Sequence, residues 1–182
     1  MKKIWQLVFN DFLSNVAIQS FDVYTIWYIA QITKDQRLVA LFGSVGIINV
    51  LLSPIGGVFA DNYPRDKIIK VTSVIRSFGF LVFLIFVLVL HDIRYLVVSL
   101  SFLLSLLGAF YTPAIQAIVP NISQTDDELF SNNTYVSTAN QLASITGAGV
   151  GGILIMIVRP RLVYLMITIL IIMATLFIIF LK

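Results

Sequence analysis

Leu38 to Ala60, then Asp61-Asn62-Tyr63-Pro64-Arg65-Asp66-Lys67, then Ile68 to Leu90: two long apolar runs meet at one short, charged, proline-containing stretch. Each run matches the roughly 20 mostly apolar residues that an α-helix needs to cross a bilayer core. Proline cannot continue a helix and the flanking charges resist burial, so the stretch reads as a tight polar hairpin between two spanning helices.

The same reading extends in both directions. Upstream, a first span covers about 8–32, and downstream three more cover about 95–119, 129–158 and 162–181. The fourth span carries Pro113, which a bundle tolerates where neighbours satisfy the freed carbonyl. The loop 120–128 ends in Thr125-Asp126-Asp127-Glu128, where Thr125 is placed to cap the fifth helix and three acids complement its dipole. Arg159-Pro160-Arg161 then turns the chain into the sixth span, and His91 falls in the loop before the fourth. The whole chain, 1–182, is thus expected to be one six-helix transmembrane domain, an all-α membrane protein. The runs are too long and too continuously apolar for the alternating ten-residue strands of a barrel.

Composition agrees. Of 182 residues, 59% are hydrophobic and 12% charged, against about 25% charged in soluble domains, and the mean hydropathy is +0.97. The absence of Cys removes disulfides, thiolate metal sites and cysteine nucleophiles, and a lone His91 makes no histidine cluster. No phosphate-binding glycine loop followed by Lys and Ser or Thr occurs. The sequence therefore reads as a non-enzyme with no cofactor and no metal. A net charge of +3, dispersed over segment ends, is no nucleic-acid footprint. Lys2 and Lys3 before an apolar run superficially suggest a signal peptide, yet Asp11, Asn15, Gln19 and Asp22 interrupt the run and no cleavage pattern follows, so the segment reads as retained.

Charges inside a bilayer are expensive, so Asp22 near the middle of the first span needs a reason. At about 100° per residue, Asp11, Asn15, Gln19, Asp22 and Thr25 fall on one face of about 120°. That face is read either as the wall of a water-accessible substrate or proton path, with Asp22 as a candidate proton carrier, or as an interhelical hydrogen-bonding strip. A second stripe on the fifth span runs through Asn133, Ser137 and Asn140 to Ser144, Ala148 and Gly151. Its polar part is a candidate cavity wall, while Gly147, Gly151 and Gly152 permit close helix packing. Gly56-Gly57 and Gly151-Gly152 sit in the second helix of each three-helix set, which hints at a three-plus-three repeat. Arg76 in the third span has two readings: snorkelling to lipid headgroups, or pairing with Asp61 or Asp11. The lysines near the N-terminus and the basic hairpin favour both termini on the cytoplasmic side of the cell (inner or cytoplasmic) membrane.

The run from Gly57 through Asp61 to Arg65 and Lys67 resembles the loop signature of the major facilitator superfamily. The resemblance assigns Gly57 to close packing, Asp61 to the acidic helix end, and Arg65 and Lys67 to the basic side of a conformational hairpin; Pro64 and Asp66 depart from the pattern. Gly108-Ala109-Phe110-Tyr111-Thr112-Pro113-Ala114 resembles the fourth helix of the macrolide-efflux and enterobactin-exporter-like branch. Ala143-Ser144-Ile145-Thr146-Gly147-Ala148-Gly149-Val150-Gly151-Gly152 is similar to the antiporter signature, with Ala143 and Ala148 replacing a Gly and a Pro. These resemblances imply the N-terminal half of a twelve-helix fold, a half-length efflux-type secondary transporter of small amphipathic organic substrates, coupled to protons. Its partners would be membrane lipid and a second six-helix half or a homodimer. The alternative is a truncated or accessory membrane protein that keeps the half-fold without transport.

Overall fold

The computed structural model describes residues 2–90, 92–157 and 159–179. The expectations for His91 and for the last residues of the fifth and sixth spans, 158 and 181, lie outside them. Six long helices follow in order: α1 (Lys2–Tyr28), α2 (Gln36–Asn62), α3 (Arg65–Val89), α4 (Arg94–Ile122), α5 (Asp126–Ile157) and α6 (Pro160–Ile179), with no strand among the described residues. A single π turn, Ile29–Thr33, extends α1. Lys34 then takes a left-handed conformation (φ 52°), and Asp35 caps α2 by accepting from the N–H groups of Arg37 and Leu38.

Several helices are longer than the apolar runs that announced them, because polar ends continue the helix into the interface. α4 passes Pro120 and stops at Ile122, so the loop expected from 120 begins at Ser123. At the start of α5 the N–H of Glu128 donates to Thr125 Oγ1 at 3.2 Å, and the Glu128 carboxylate accepts from the N–H of Gln124 at 2.7 Å. This reciprocal arrangement satisfies N–H groups that a helix start leaves unpaired.

Five of the helices, α2 to α6, are long and apolar enough to cross a membrane. α1 is long enough but carries the polar stripe, and it lies inside the bundle against α5 and α6. The other extensive contacts join α2 to α4, α3 to α4 and α3 to α6, with smaller ones between α1 and α4, α4 and α5, and α2 and α3. Exchanging the first three helices with the last three maps this pattern onto itself: α1 on α5 matches α4 on α2, and α1 on α6 matches α4 on α3. That is the expected three-plus-three repeat.

The glycine pairs repeat it atom by atom. A Cβ added at Gly56 would collide with the Ala109 carbonyl of α4, and one added at Gly151 would meet the Ser20 carbonyl oxygen of α1 at 3.1 Å. Gly147 likewise faces Val16 and Gln19 of α1, the nearest atom at 2.7 Å. Added Cβ atoms at Gly57 and Gly152 meet nothing within 4 Å. Within this chain the first glycine of each pair makes the approach, since it faces the partner helix and its neighbour is rotated by about 100°.

Hydroxyl groups clasp the same pairs of helices. Ser20 Oγ donates to the Gly147 carbonyl at 2.9 Å, and Ser105 Oγ to the Val45 carbonyl at 2.8 Å. The core is aromatic at one end, where Phe21, Tyr24, Phe80, Phe83 and Tyr164 pack edge to face. α2 is the least covered helix, with Val50 72% and Leu51 70% exposed.

Candidate functional site

Between α1, α2, α4 and α5 lies a cavity of about 990 Å³. Asn15, Gln19 and Asp22 of α1 face it from one side and Asn133, Ser137 and Asn140 of α5 from another. Periodicity accounts for this: in both helices the polar residues recur three or four apart, so they form one stripe, and in an apolar solvent that stripe turns inward. The two stripes touch where Asn15 Nδ2 donates to Asn140 Oδ1 at 2.6 Å.

The two carboxyls of α1 occupy different surroundings. Asp11 is 2% exposed. Its Oδ1 accepts from Asn15 Nδ2 at 3.1 Å and faces the Tyr111 hydroxyl at 3.2 Å, which also donates to Asn10 Oδ1 at 3.0 Å. Asn10 in turn donates to the Ala174 carbonyl of α6 at 2.6 Å. Asp22 is half-buried at the cavity wall. Asp22 has no hydrogen bond or ion pair with a described residue.

Arg76 joins the site from α3. It is 4% exposed, lies 4.2 Å from the centre of the Tyr111 ring and reaches the cavity wall. Snorkelling to the lipid surface is thereby excluded, as is pairing with Asp61, whose ion pair is with Arg65 at 3.8 Å. Arg76 and Asp11 interact through space, without an ion pair closing within 4 Å. The resemblance singled out neither Arg76 nor Asn10 nor Tyr111 as a group in the path. The available signal was that Asp11 and Arg76 are opposite charges inside spans, which membranes rarely leave apart.

Asp61 and Arg65 pair across the turn, and Arg65 Nε also donates to the Ala60 carbonyl at 3.1 Å, tying the end of α2 to the start of α3. Lys67 is exposed, and Gly57 contributes no close contact. Among the described residues no group of His, Cys, Asp and Glu is arranged to hold a metal.

A helical bundle with spanning lengths, internal repeat symmetry and a polar chamber between its helices defines an integral membrane protein. The chain belongs to the Major Facilitator Superfamily, whose profile matches residues 7–182. That is a family of membrane transporters, not of enzymes. No curated protein matches the sequence. Among solved structures, the peptide transporter POT in complex with alafosfalin superposes with a TM-score of 0.83 at 17% identity, covering 98% of this chain and 38% of that one. Its complex with sulfate gives 0.82 at 16%, covering 98% and 37%. These likenesses establish the fold, and the chain spans about two fifths of the length of the structures it matches.

Proposed function

We propose that the chain forms the N-terminal half of a secondary transporter of the efflux type, moving small amphipathic organic compounds by alternating access and coupled to protons. The observation that carries this reading is the cavity: two polar stripes, costly in a bilayer, converge on one space between α1, α2, α4 and α5. Its mixed lining of amides, hydroxyls and apolar residues such as Ile18, Phe42 and Val136 suits an amphipathic solute. Asp22 is the proton-exchanging group, since its carboxyl faces the cavity without a fixed partner. The macrolide-efflux branch is favoured by the fourth-helix run quoted above, and antiport by the fifth-helix run.

A second six-helix unit or a second copy completes the path, seated on the exposed faces of α2 and α5. Both termini and the Asp61–Arg65 hairpin lie on the cytoplasmic side of the cell membrane, and the hairpin biases the conformational equilibrium without touching substrate. Thiol labelling tests the central premise in a chain with no native Cys. Asp22→Cys in oriented membrane vesicles should react with a membrane-impermeant thiol reagent from at least one side. Absence of reaction from both sides would leave Asp22 buried and favour the accessory, non-transporting reading.

A further inference from the structure

The Arg76 guanidinium is out of keeping with the rest of the bundle. A planar fork with five donors is almost fully buried, yet its Nε has no hydrogen-bond partner and no carboxylate closes on it within 4 Å. It lies over the face of Tyr111, which offers quadrupole attraction and no acceptor in the plane of the fork. Burying such a charge without acceptors is costly. The cavity lies directly beside it.

The wall is shaped to leave that fork reachable. Gly108 of α4 stands opposite, and a Cβ there would collide with the Asn49 amide and come within 3.6 Å of an Arg76 terminal nitrogen. With no side chain at 108, the guanidinium and the Asn49 amide share one stretch of wall. Asp11 interacts with this charge through space but closes no ion pair on it. Its Oδ1 is engaged by Asn15 and faces Tyr111, and its Oδ2 is buried without a partner. Asp22 is farther off, about 16 Å along α1 from Asp11 at the helical rise.

We propose that Arg76 is the anion-binding group of this cavity, and that the compounds it takes are amphipathic monoanions that present a carboxylate to the guanidinium fork. A carboxylate matches the fork bidentately. The Asp11 carboxyl, which interacts with Arg76 through space, disfavours a second negative charge on the ligand, so the class is monoanionic. The apolar body then lies along Leu104, Ile115 and Val119 of α4, which line the same space. This assignment rests on the reading of the cavity as a substrate site.

The test compares two isosteric probes, 4-phenylbutyrate and 4-phenylbutyramide, by equilibrium dialysis against the purified full chain in non-ionic detergent. The carboxylate should bind about tenfold more tightly than the amide, the scale of a charge-assisted bidentate contact. Arg76→Gln should abolish that difference, and Asp11→Asn, which keeps a hydrogen-bonding side chain but removes the competing charge, should widen it. The Asp11 variant decides the matter if Arg76→Gln fails to fold. Equal binding of the two probes, or a preference that survives Arg76→Gln or shrinks in Asp11→Asn, overturns the assignment while leaving the cavity a binding site. If neither probe binds, the assignment is also overturned. Labelling of Asp22→Cys then tells whether the cavity reading survives, as it does if the thiol reacts, or falls with it.

Discussion

Asp11 and Asp22 stand on the same face of the same helix, about three turns apart, and they solve the cost of an intramembrane carboxyl in opposite ways. Around Asp11, side chains of α1, α4 and α5 and a backbone carbonyl of α6 are knitted together: Asn10 reaches the Ala174 carbonyl, Tyr111 reaches Asn10 and Asp11, and Asn15 reaches Asp11 and Asn140. Asp22 itself has no hydrogen bond with a described residue, although Ser20 and Thr25 of the same helix bond to α5 and α6, and the Tyr24 hydroxyl is buried without a partner among the described residues. A polar network crossing four helices fixes their relative positions, whereas a carboxyl at a cavity wall remains available to whatever enters. Both carboxyls line the cavity, but only Asp11 is held in a network, although helical periodicity gives the two the same signature.

The sharpest way to break this contrast is to remove each carboxyl in turn. Asp11→Leu deletes the carboxylate nearest to the buried Arg76, and should cost about 3 kcal/mol of stability, the scale of stranding one partner of a buried charge pair. The hydrogen bonds are partly backed up, because Tyr111 keeps Asn10 and Asn15 keeps Asn140, so the loss should be mainly electrostatic. Asp22→Leu strands no partner and should leave stability unchanged or slightly raised. Denaturant unfolding in detergent measures both, and equal losses at the two positions would erase the distinction.

A smaller effect sharpens the comparison through two tyrosines. Tyr111→Phe removes the donor to Asn10 and Asp11 while keeping the ring beneath Arg76, and should cost about 1 kcal/mol. Tyr24→Phe removes a hydroxyl that satisfies nothing and should be neutral or stabilising. The same unfolding measurement applies. A larger loss at Tyr24 than at Tyr111 would mean that the network around Asp11 is not what holds the helices in register.

Much of the fold was legible because a bilayer allows few solutions. Helix lengths, the hairpin at Asp61–Lys67 and the inward turn of the Asn15, Gln19, Asp22 and Asn133, Ser137, Asn140 stripes follow from apolar length and a period of 3.6. Helix-to-helix register was not legible. Whether Arg76 snorkels or meets Tyr111 depends on how α3 rotates against α4, and the sequence of α3 alone does not encode that rotation. The glycine pairs show the same limit: the sequence offered Gly56 and Gly57 as equivalents, and only the position of the Ala109 carbonyl separates them. Asn10 escaped because it sits near the start of the helix, where a polar residue looks solvated, yet α6 covers it completely.

The exposed pair Asp92 and Arg94 calibrates the low end of the scale. It is the closed ion pair that Asp11 lacks: Arg94 Nε lies 2.7 Å from Asp92 Oδ2, and the Arg94 backbone N–H donates to Asp92 Oδ1 at 3.1 Å. Hydrogen bonding by Arg94, first from its side chain and then from its backbone, holds the Asp92 carboxyl below the usual carboxylate range. A carboxyl depressed in the folded state stabilises the fold above its unfolded value, near 3.9, and that contribution disappears as pH falls through the lower folded value. Water and salt screen this pair, so good geometry here carries little energy. Asp92→Asn should shift the thermal midpoint at neutral pH by no more than the error of the measurement. The wild-type midpoint should lose any advantage over Asp92→Asn only below about pH 4. If Asp92→Asn instead destabilises the chain as strongly as Asp11→Leu, then burial is not what separates structural from incidental carboxyls in this bundle, and the contrast along α1 loses its physical basis.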